Sequence, residues 1–485
     1  MAPEKLTEYE QQRLQNIKRN EEMLAALKIR SKVSELSTAT KRQRAETKSY
    51  KVSPEKKQKT ETPIVLRRSL RTRGMPPDSS TDETPKSSPK EDLESILKEE
   101  PFSGPISMAS ACRTVGSDKK LLEIILSSSR NAKRSMSDDA ICDSNNGILG
   151  NEDFVSSKGG KIGRLVDIKG LKLEQRNVAR VVHGRIFTVR FFPARDTRVV
   201  VVGNKKGDIG FWNIDAEDED GDGIHVYHPH SAPVSGILFD SFSLSKMFSS
   251  SYDGFVRLLD IERGIFDLVY SNDDGVFSLS QKPDDMKSLY FGGPNGEMNV
   301  WDARAGKSVF SWHLHEDRIN TIDFNSQDTN NMATSSTDGT VCIWDLRNIG
   351  AEGPTSLRTV THRRAVHSAY FSPSGAFLAT TSLDDRIGLL SGENLEDLSM
   401  IHHNNQTGRW LSPFRGIWGW DDSQLIIGNM SRGIDVISTS KKNVVATLKS
   451  ECMTAIPCRF DVHPYEIGTL AAATSGGQVY VWEQS

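Results

Sequence analysis

The feature that most restricts this chain is a repeat with a period in the forties, running from about residue 165 to the C-terminus. Taking the position five residues after each turn glycine, or its substitute, gives Trp212, Leu259, Trp301, Trp344, Leu390, Ser438 and Trp482, at spacings of 47, 42, 43, 46, 48 and 44. A unit of this length holds about four strands and cannot bury both its faces without neighbours on either side. The fourth copy shows the grammar most plainly. His315 precedes the apolar run Ile319–Phe324; then come Met332-Ala333-Thr334-Ser335-Ser336, the turn Asp338-Gly339, and the alternating Thr340-Val341-Cys342-Ile343-Trp344-Asp345. Asp-Gly supplies the positive φ that a tight hairpin turn requires. Three such strands and a more variable fourth make a blade, and seven blades make an all-β, seven-bladed propeller over residues 165–485. Closing that ring pairs its first and last blades, so residues 478–482 are expected to be a structural strand. Copies five and six depart from the pattern, with Leu390 and Ser438 at the tryptophan position and Asp385 at the turn glycine, and are expected to be irregular.

A histidine ahead of the first strand and an aspartate at the turn recur. Buried polar groups must be paired, and a relay of His, Ser or Thr, Trp and Asp does this inside one blade. His183, His315 and His362 are read as structural members of such relays rather than as catalytic groups or metal ligands.

At 485 residues the chain holds more than one propeller, and its charge is unevenly spread. Residues 1–75 carry 19 Lys/Arg against 9 Asp/Glu, leaving 42 against 55 in the rest, for a net charge of −3. A basic segment joined to an acidic body points to nucleic acid or acidic proteins as partners, or to nuclear import alone. Thr7 and Glu10 form a capping box, and Leu6, Tyr9, Ile17, Leu24 and Leu27 recur at helical spacing, so residues 1–31 are expected to form an amphipathic helix. Residues 32–160 are basic, Ser-rich and poor in large apolar side chains, hence mostly disordered. Short helices are expected near residues 91–99 and 118–130. Lys41-Arg42-Gln43-Arg44 and Lys56-Lys57-Gln58-Lys59 resemble a bipartite nuclear import signal, and Ser53-Pro54, Thr62-Pro63, Thr84-Pro85 and Ser88-Pro89 are proline-directed phosphorylation sequences.

Other classes fall away. The five cysteines share no C-x-x-C spacing, which argues against a disulfide framework or a zinc site and for a reducing compartment. No apolar run reaches the roughly 18 residues of a membrane span. The chain contains no phosphate-cradling glycine loop, H-E-x-x-H or nucleophile elbow, so neither an enzyme nor a resident metal or cofactor is expected.

Function must then lie on the two ends of the ring. The loop before each first strand and the turn before each third strand open on one end, and their charges are mostly basic: Arg185, Arg318, Arg363, Arg364 and Arg409 with Trp410 in the loops, Lys205, Lys206 and Arg432 in the turns. A cationic end would track phosphates, with Trp410 stacking or wedging against bases. Scattered charge and a packed tryptophan is the other reading, since several aspartates share that end. The opposite end receives Trp301-Asp302-Ala303-Arg304 and Trp344-Asp345-Leu346-Arg347 in consecutive blades, either a docking pair or two ordinary blade ends.

Some stretches are more specific than the repeat: Leu6-Thr7-Glu8-Tyr9-Glu10 with Asn16-Ile17-Lys18-Arg19-Asn20, then Gly203-Asn204-Lys205-Lys206-Gly207-Asp208-Ile209, and Gln406-Thr407-Gly408-Arg409-Trp410-Leu411-Ser412-Pro413-Phe414-Arg415. Through them nearly the whole chain resembles the family of WD repeat-containing protein 76, with its fungal damage-responsive members, and more distantly the small subunit of the damaged-DNA-binding complex. The resemblance implies a nuclear WD40 propeller that binds DNA, damaged duplex included, in the damage response and genome maintenance. It also implies a substrate receptor whose Arg304 and Arg347 dock on the adaptor of a cullin-RING ubiquitin ligase. By the same resemblance Lys205 and Arg318 match DNA-contacting positions. Gly408-Arg409-Trp410 stands where the distant relative inserts a hairpin into the duplex, with a different tripeptide. That relative's adaptor-gripping helix-loop-helix has no match here. Two functions stay open: DNA binding by the propeller, or a chromatin scaffold for histones and other proteins whose DNA contact is indirect or made by the N-terminal segment.

Overall fold

The computed structural model describes residue 18 and residues 103–114, 118–139, 168–216, 222–240, 243–285, 287–350 and 353–484. Apart from residue 18, the helices expected at residues 1–31 and 91–99, the import signal and the phosphorylation sequences lie outside the described residues. From residue 168 onward the chain forms seven antiparallel sheets whose strands follow one another in sequence order. Consecutive sheets pack side by side, and the last packs on the first, so the ring is closed. This is the seven-bladed propeller that the repeat demands.

In the fourth blade the strands are Ile319–Phe324, Asn331–Ser336, Thr340–Gly350 and Gly353–Thr361, with Met332 opposite Trp344 and Thr334 opposite Cys342. Second strands such as Val199–Asn204 and Leu470–Thr474 are wholly buried. A neighbouring blade covers each of their faces, which is why they read as continuous runs of small or β-branched residues instead of alternating. Where the turn residue is glycine it also serves blade-to-blade packing. Gly296 has φ 78°, and a Cβ there would lie 1.6 Å from the carbonyl oxygen of His315, in the loop entering the next blade.

Blade five is regular after all, with four strands and Asp385 taking the turn glycine's conformation at φ 62°. Its carboxylate accepts from Asn405 N–H and Gln406 Nε2, which offsets the strain of a left-handed non-glycine residue. Blade six needs a correction. The left-handed residue there is Arg432, at φ 57°, not Gly433, so the tryptophan position is Ile437, which faces Leu425, and not Ser438. Its first strand is only Ile417–Trp418.

The relay is complete in blade four. Trp344 Nε1 donates to Thr334 Oγ1 (2.8 Å), Thr334 Oγ1 meets His315 Nε2 (2.7 Å), and His315 Nδ1 meets Asp338 (3.1 Å). Since the carboxylate only accepts, Nδ1 carries the proton and the threonine hydroxyl donates to Nε2. His362 makes the same bonds to Thr380 and Asp384, with Leu390 replacing the tryptophan. His183 does not belong to this set. It is exposed and uses only its carbonyl, which accepts from Asn204 Nδ2, because Asn204 and Asp208 organise that turn by themselves. The third relay belongs to His230, bonded to Ser249 and Asp253. Its spacing of 23 to the aspartate, equal to that of His315, is the signal that identifies it; the same step from His183 reaches a lysine.

Closure is made by two short strands preceding the first blade. Leu171–Lys172 and Val178–Arg180 both pair antiparallel with Gln478–Gln484, supplying the outer edge of the last blade. Further upstream, Ile106–Ser107 adds to the outer strand of blade two. The helix Lys119–Asp139 inserts Leu121 and Ile125 into a core with Phe192, Val199, Tyr227 and Leu259. Asp118 accepts from the Tyr227 hydroxyl (2.8 Å), and Ser128 donates to Asp196 (2.8 Å).

Removing residues 478–485 would expose the contacts of Val479, Tyr480, Val481 and Trp482, all buried. Each contributes about 1.5–3 kcal/mol, against about 5–15 kcal/mol for a whole domain. The truncated chain is expected to show no cooperative transition by calorimetry; a melt within a few degrees of the full chain would refute closure at this strand. Acid should weaken the ring as well. Burial holds His230, His315 and His362 below their ordinary 6.5 and pushes His367 to about 3 and His463 to about 4. The native state therefore binds fewer protons than the unfolded chain once pH drops below 6.5, and stability present above that pH is lost down through the folded values. Each such histidine contributes up to about 1.4 kcal/mol per pH unit. Burial would raise the relay aspartates, but hydrogen bonds from histidine and backbone hold them below 3.8, so they add to the loss only at lower pH. The thermal midpoint should fall steadily from pH 6.5 to 4, and a flat profile would contradict the assignment.

Candidate nucleic-acid interface

The entering loops and second turns share one end of the ring, because each turn backs onto the loop beside it. Lys205 N–H donates to Arg185 O (2.7 Å), Thr337 N–H to Arg318 O (3.0 Å) and Leu383 N–H to Ala365 O (3.1 Å). Lys205, Arg318 and Arg409 thus belong to the same end, though they do not all face the same way. Lys205 is exposed beside Arg185, whose Nη2 donates to the Arg409 carbonyl (3.1 Å) across 224 residues of sequence. Arg363, Arg364, Arg409 and Arg432 are exposed. Lys206 diverges into a cleft shared with Arg113, Arg180, Asp208 and Asp222. Arg318 turns inward, its guanidinium 5.0 Å from the Phe277 ring centroid and its Nε bonded to Asn320 Oδ1.

The aspartates of this end are largely withdrawn. Asp253, Asp338 and Asp384 are spent on the relays, with side chains only 3%, 11% and 4% exposed. Exposed carboxylates remain at Asp273, Asp274, Glu316 and Asp317, around blades two to four, and at Glu451 in the loop entering blade seven. The exposed cations named above stand on blades five, six and one. Charge is therefore divided across the end, with its positive arc centred on the segment between blades five and six.

That segment, residues 403–416, has no regular structure but is held along its length. Asn405 Nδ2 donates to the carbonyls of Ser382 and Arg386, Gln406 to Leu383 O, and Arg364 to Gln406. Further on, Ser412 N–H meets Ser475 Oγ, Phe414 is buried, and Gly416 N–H meets Thr381 Oγ1. Between these anchors the chain turns at Gly408 (φ 64°) and presents Trp410, 81% exposed. Tryptophan is highly buried on average, so an indole held in solvent by a clamped loop, next in sequence to Arg409, whose carbonyl accepts from Arg185, is the distinctive feature of this end. The packed-tryptophan reading is excluded.

On the opposite end, Arg304 and Arg347 are both exposed, Arg304 in the turn after the third strand of blade three and Arg347 toward the end of the long third strand of blade four. Arg347 Nε is bonded to Asp345 (2.9 Å) with Asp328 at 3.4 Å, and this hydrogen bond lowers the Asp345 carboxyl. Among the described residues, no group of three or more His, Cys, Asp or Glu could hold a metal, and no helix is long and apolar enough to cross a membrane.

Residues 306–345 and 354–389 match the family described as WD domain, G-beta repeat. The first match starts at the outer strand of blade three and ends in the third strand of blade four, so repeat and blade are offset by one strand, as closure by an upstream strand requires. WD repeat-containing protein 76 of Xenopus laevis is 30% identical over 505 residues, covering 99% of this chain and 82% of that protein. The chain belongs to the WD repeat-containing protein 76 family. Its Mus musculus member is 27% identical, over 98% of this chain and 74% of its own length. The DNA damage-binding protein CMR1 of Scheffersomyces stipitis is 28% identical over 99% of this chain and all of its own.

In this WD repeat-containing protein 76 relative, sequence reading missed Arg415, Arg459 and His367, which gather with Arg318 inside the mouth of the ring. The available signal was an arginine or histidine within an inner-strand run, as in Pro457-Cys458-Arg459-Phe460 and Val366-His367-Ser368.

Proposed function

We propose that this chain is a non-enzymatic DNA-binding propeller of the nuclear damage response. The observation that carries the reading is the clamped loop that holds Trp410 in solvent beside Arg409, whose carbonyl accepts from Arg185, with Lys205 bonded to Arg185 in turn. Arginine and lysine there can pair with the phosphates of a backbone, and an indole offers a face to a base or a wedge to a base step. The names of the fungal relatives, DNA damage-binding protein, support the reading. So does the basic segment with Lys41, Arg42, Arg44, Lys56, Lys57 and Lys59, which favours nuclear residence and non-specific attachment to chromatin. Arg185, Lys205, Arg363, Arg409 and Trp410 form the proposed surface, with Lys206 at its margin and Arg318 behind it.

A second reading concerns the other end. Val309, Phe310, Ile349 and Leu357 are exposed apolar side chains on the blades that carry Arg304 and Arg347. Arginines among exposed apolar groups suit a protein partner, and we propose the adaptor of a cullin-RING ligase as that partner, with histones or other chromatin proteins as cargo.

Replacing Arg409 and Trp410 together by alanine should leave folding intact, since both are exposed. Duplex affinity is expected to drop about tenfold to a hundredfold, from about 1–3 kcal/mol of lost stacking plus one phosphate contact, with the salt slope smaller by about 1. Unchanged affinity, or binding by the isolated residues 1–160 and not by the propeller, would shift the function to an indirect scaffold. For the opposite end, Arg304→Ala with Arg347→Ala should reduce recovery of the adaptor from cells by at least about fivefold, on the order of 1 kcal/mol. Undiminished recovery would end that proposal.

A further inference from the structure

The mouth of the ring is lined by one side chain from each blade, in an order that separates rings from cations. From blade seven, Arg459 Nε donates to the Phe187 carbonyl of blade one (2.8 Å). Phe187 meets Tyr252 of blade two edge-on at 5.8 Å, and Tyr252 lies 4.3 Å from Phe277 at the entry to blade three. Arg318 of blade four covers Phe277. Arg415, entering blade six, reaches back to the Asn320 carbonyl (3.1 Å), and His367 of blade five sits among Arg318, Arg415 and Arg459. One arc is therefore aromatic and the other carries three guanidiniums.

No carboxylate is among the charges that act most on His367 and Arg459, and Arg459 donates instead to the carbonyls of Phe187, Pro413 and Cys458. The charged groups acting on His367 are all arginines, and those acting most on Arg459 are Arg415, Cys458, Tyr370 and Tyr252. Burial and the nearby Arg415 push the Arg459 guanidinium down to about 9. Among the described residues, two buried nitrogens here have no hydrogen-bond partner, His367 Nε2 and Arg415 Nε, and His367 is only 8% exposed. Buried donors and like charges cost stability unless something satisfies them, so the arrangement is built to receive an anion.

The number of cations bears on which anion. A backbone phosphodiester carries one charge, whereas a phosphomonoester carries about 1.5 to 2 negative charges and three terminal oxygens, matching a cluster of three guanidiniums. Of these, Arg459 keeps Nη2 for the anion because its Nε and Nη1 donate to the carbonyls of Phe187, Pro413 and Cys458. The aromatic arc adds half-buried ring surface suited to a flat group. We propose that the mouth binds a nucleoside 5′-monophosphate, its phosphate held by Arg318, Arg415 and Arg459 and its base against Tyr252 and Phe277, either as the free nucleotide or at the 5′ end of a DNA strand. This extends the DNA-binding reading but uses different residues from the Trp410 surface.

Full-length chain should be titrated with adenosine and thymidine 5′-monophosphate, with inorganic phosphate, with a phosphoserine peptide, and with one single-stranded oligonucleotide carrying a 5′-phosphate or a 5′-hydroxyl. Saturable binding of a nucleotide at least tenfold tighter than phosphate or peptide is expected. A tenfold preference for the 5′-phosphorylated strand assigns the source to a strand end; equal affinity for the two strands alongside nucleotide binding assigns it to the free nucleotide. Arg318→Gln with Arg415→Gln should abolish either preference while keeping the thermal midpoint, and Arg318→Gln alone serves if the double variant unfolds. Arg409→Ala with Trp410→Ala should retain it, so loss of duplex binding and loss of nucleotide binding are read separately. No nucleotide binding with no strand-end preference, equal affinity for inorganic phosphate, or tighter binding of the peptide would each overturn the proposal.

Discussion

The pairing of Leu171–Lys172 and Val178–Arg180 with Gln478–Gln484 is the constraint on which the molecule depends. A blade has two apolar faces, and each is buried only by a neighbour, so an open ring leaves two faces bare. The same pairing brings together groups far apart in sequence. Arg185 reaches the Arg409 carbonyl and Arg459 reaches the Phe187 carbonyl only because the last blade is locked beside the first.

Within that ring, polar groups are sorted by what satisfies them. The aspartates of the second turns are drawn inward, where histidine and backbone N–H groups pair with them. Of the arginines beside them, Arg363, Arg364, Arg409 and Arg432 stay at the surface while Arg318 turns inward. One end becomes cationic over part of its circumference although the body as a whole is acidic. The clamped segment between blades five and six then supplies what charge cannot, a rigidly presented aromatic face. A short first strand in blade six is the structural counterpart, since the residues that would have lengthened it are used to cross the mouth.

Much of this was legible because a period in the forties with Asp-Gly turns admits few folds. Local chemistry was less so. Gly433 looked like the turn residue of blade six because glycine usually takes a positive φ, yet Arg432 holds that conformation and the frame shifts by one. His183 looked like a relay histidine because it precedes a first strand, but no aspartate stands at the required distance, and His230 satisfies the spacing instead. Asn204 and Asp208 close that turn without it.

By itself the sequence determined the seven-bladed ring, the closing strand, the absence of catalytic motifs and the loops that carry basic residues. All of these follow from spacing along one chain, which reports hydrogen-bonded neighbours within a blade. Only the tertiary structure decided which charges face water, that Trp410 stands in solvent, and that Arg318, Arg415 and Arg459 converge with His367 at the mouth. Those outcomes depend on distances between blades, and such distances are set by closure of the ring rather than by any local pattern of residues.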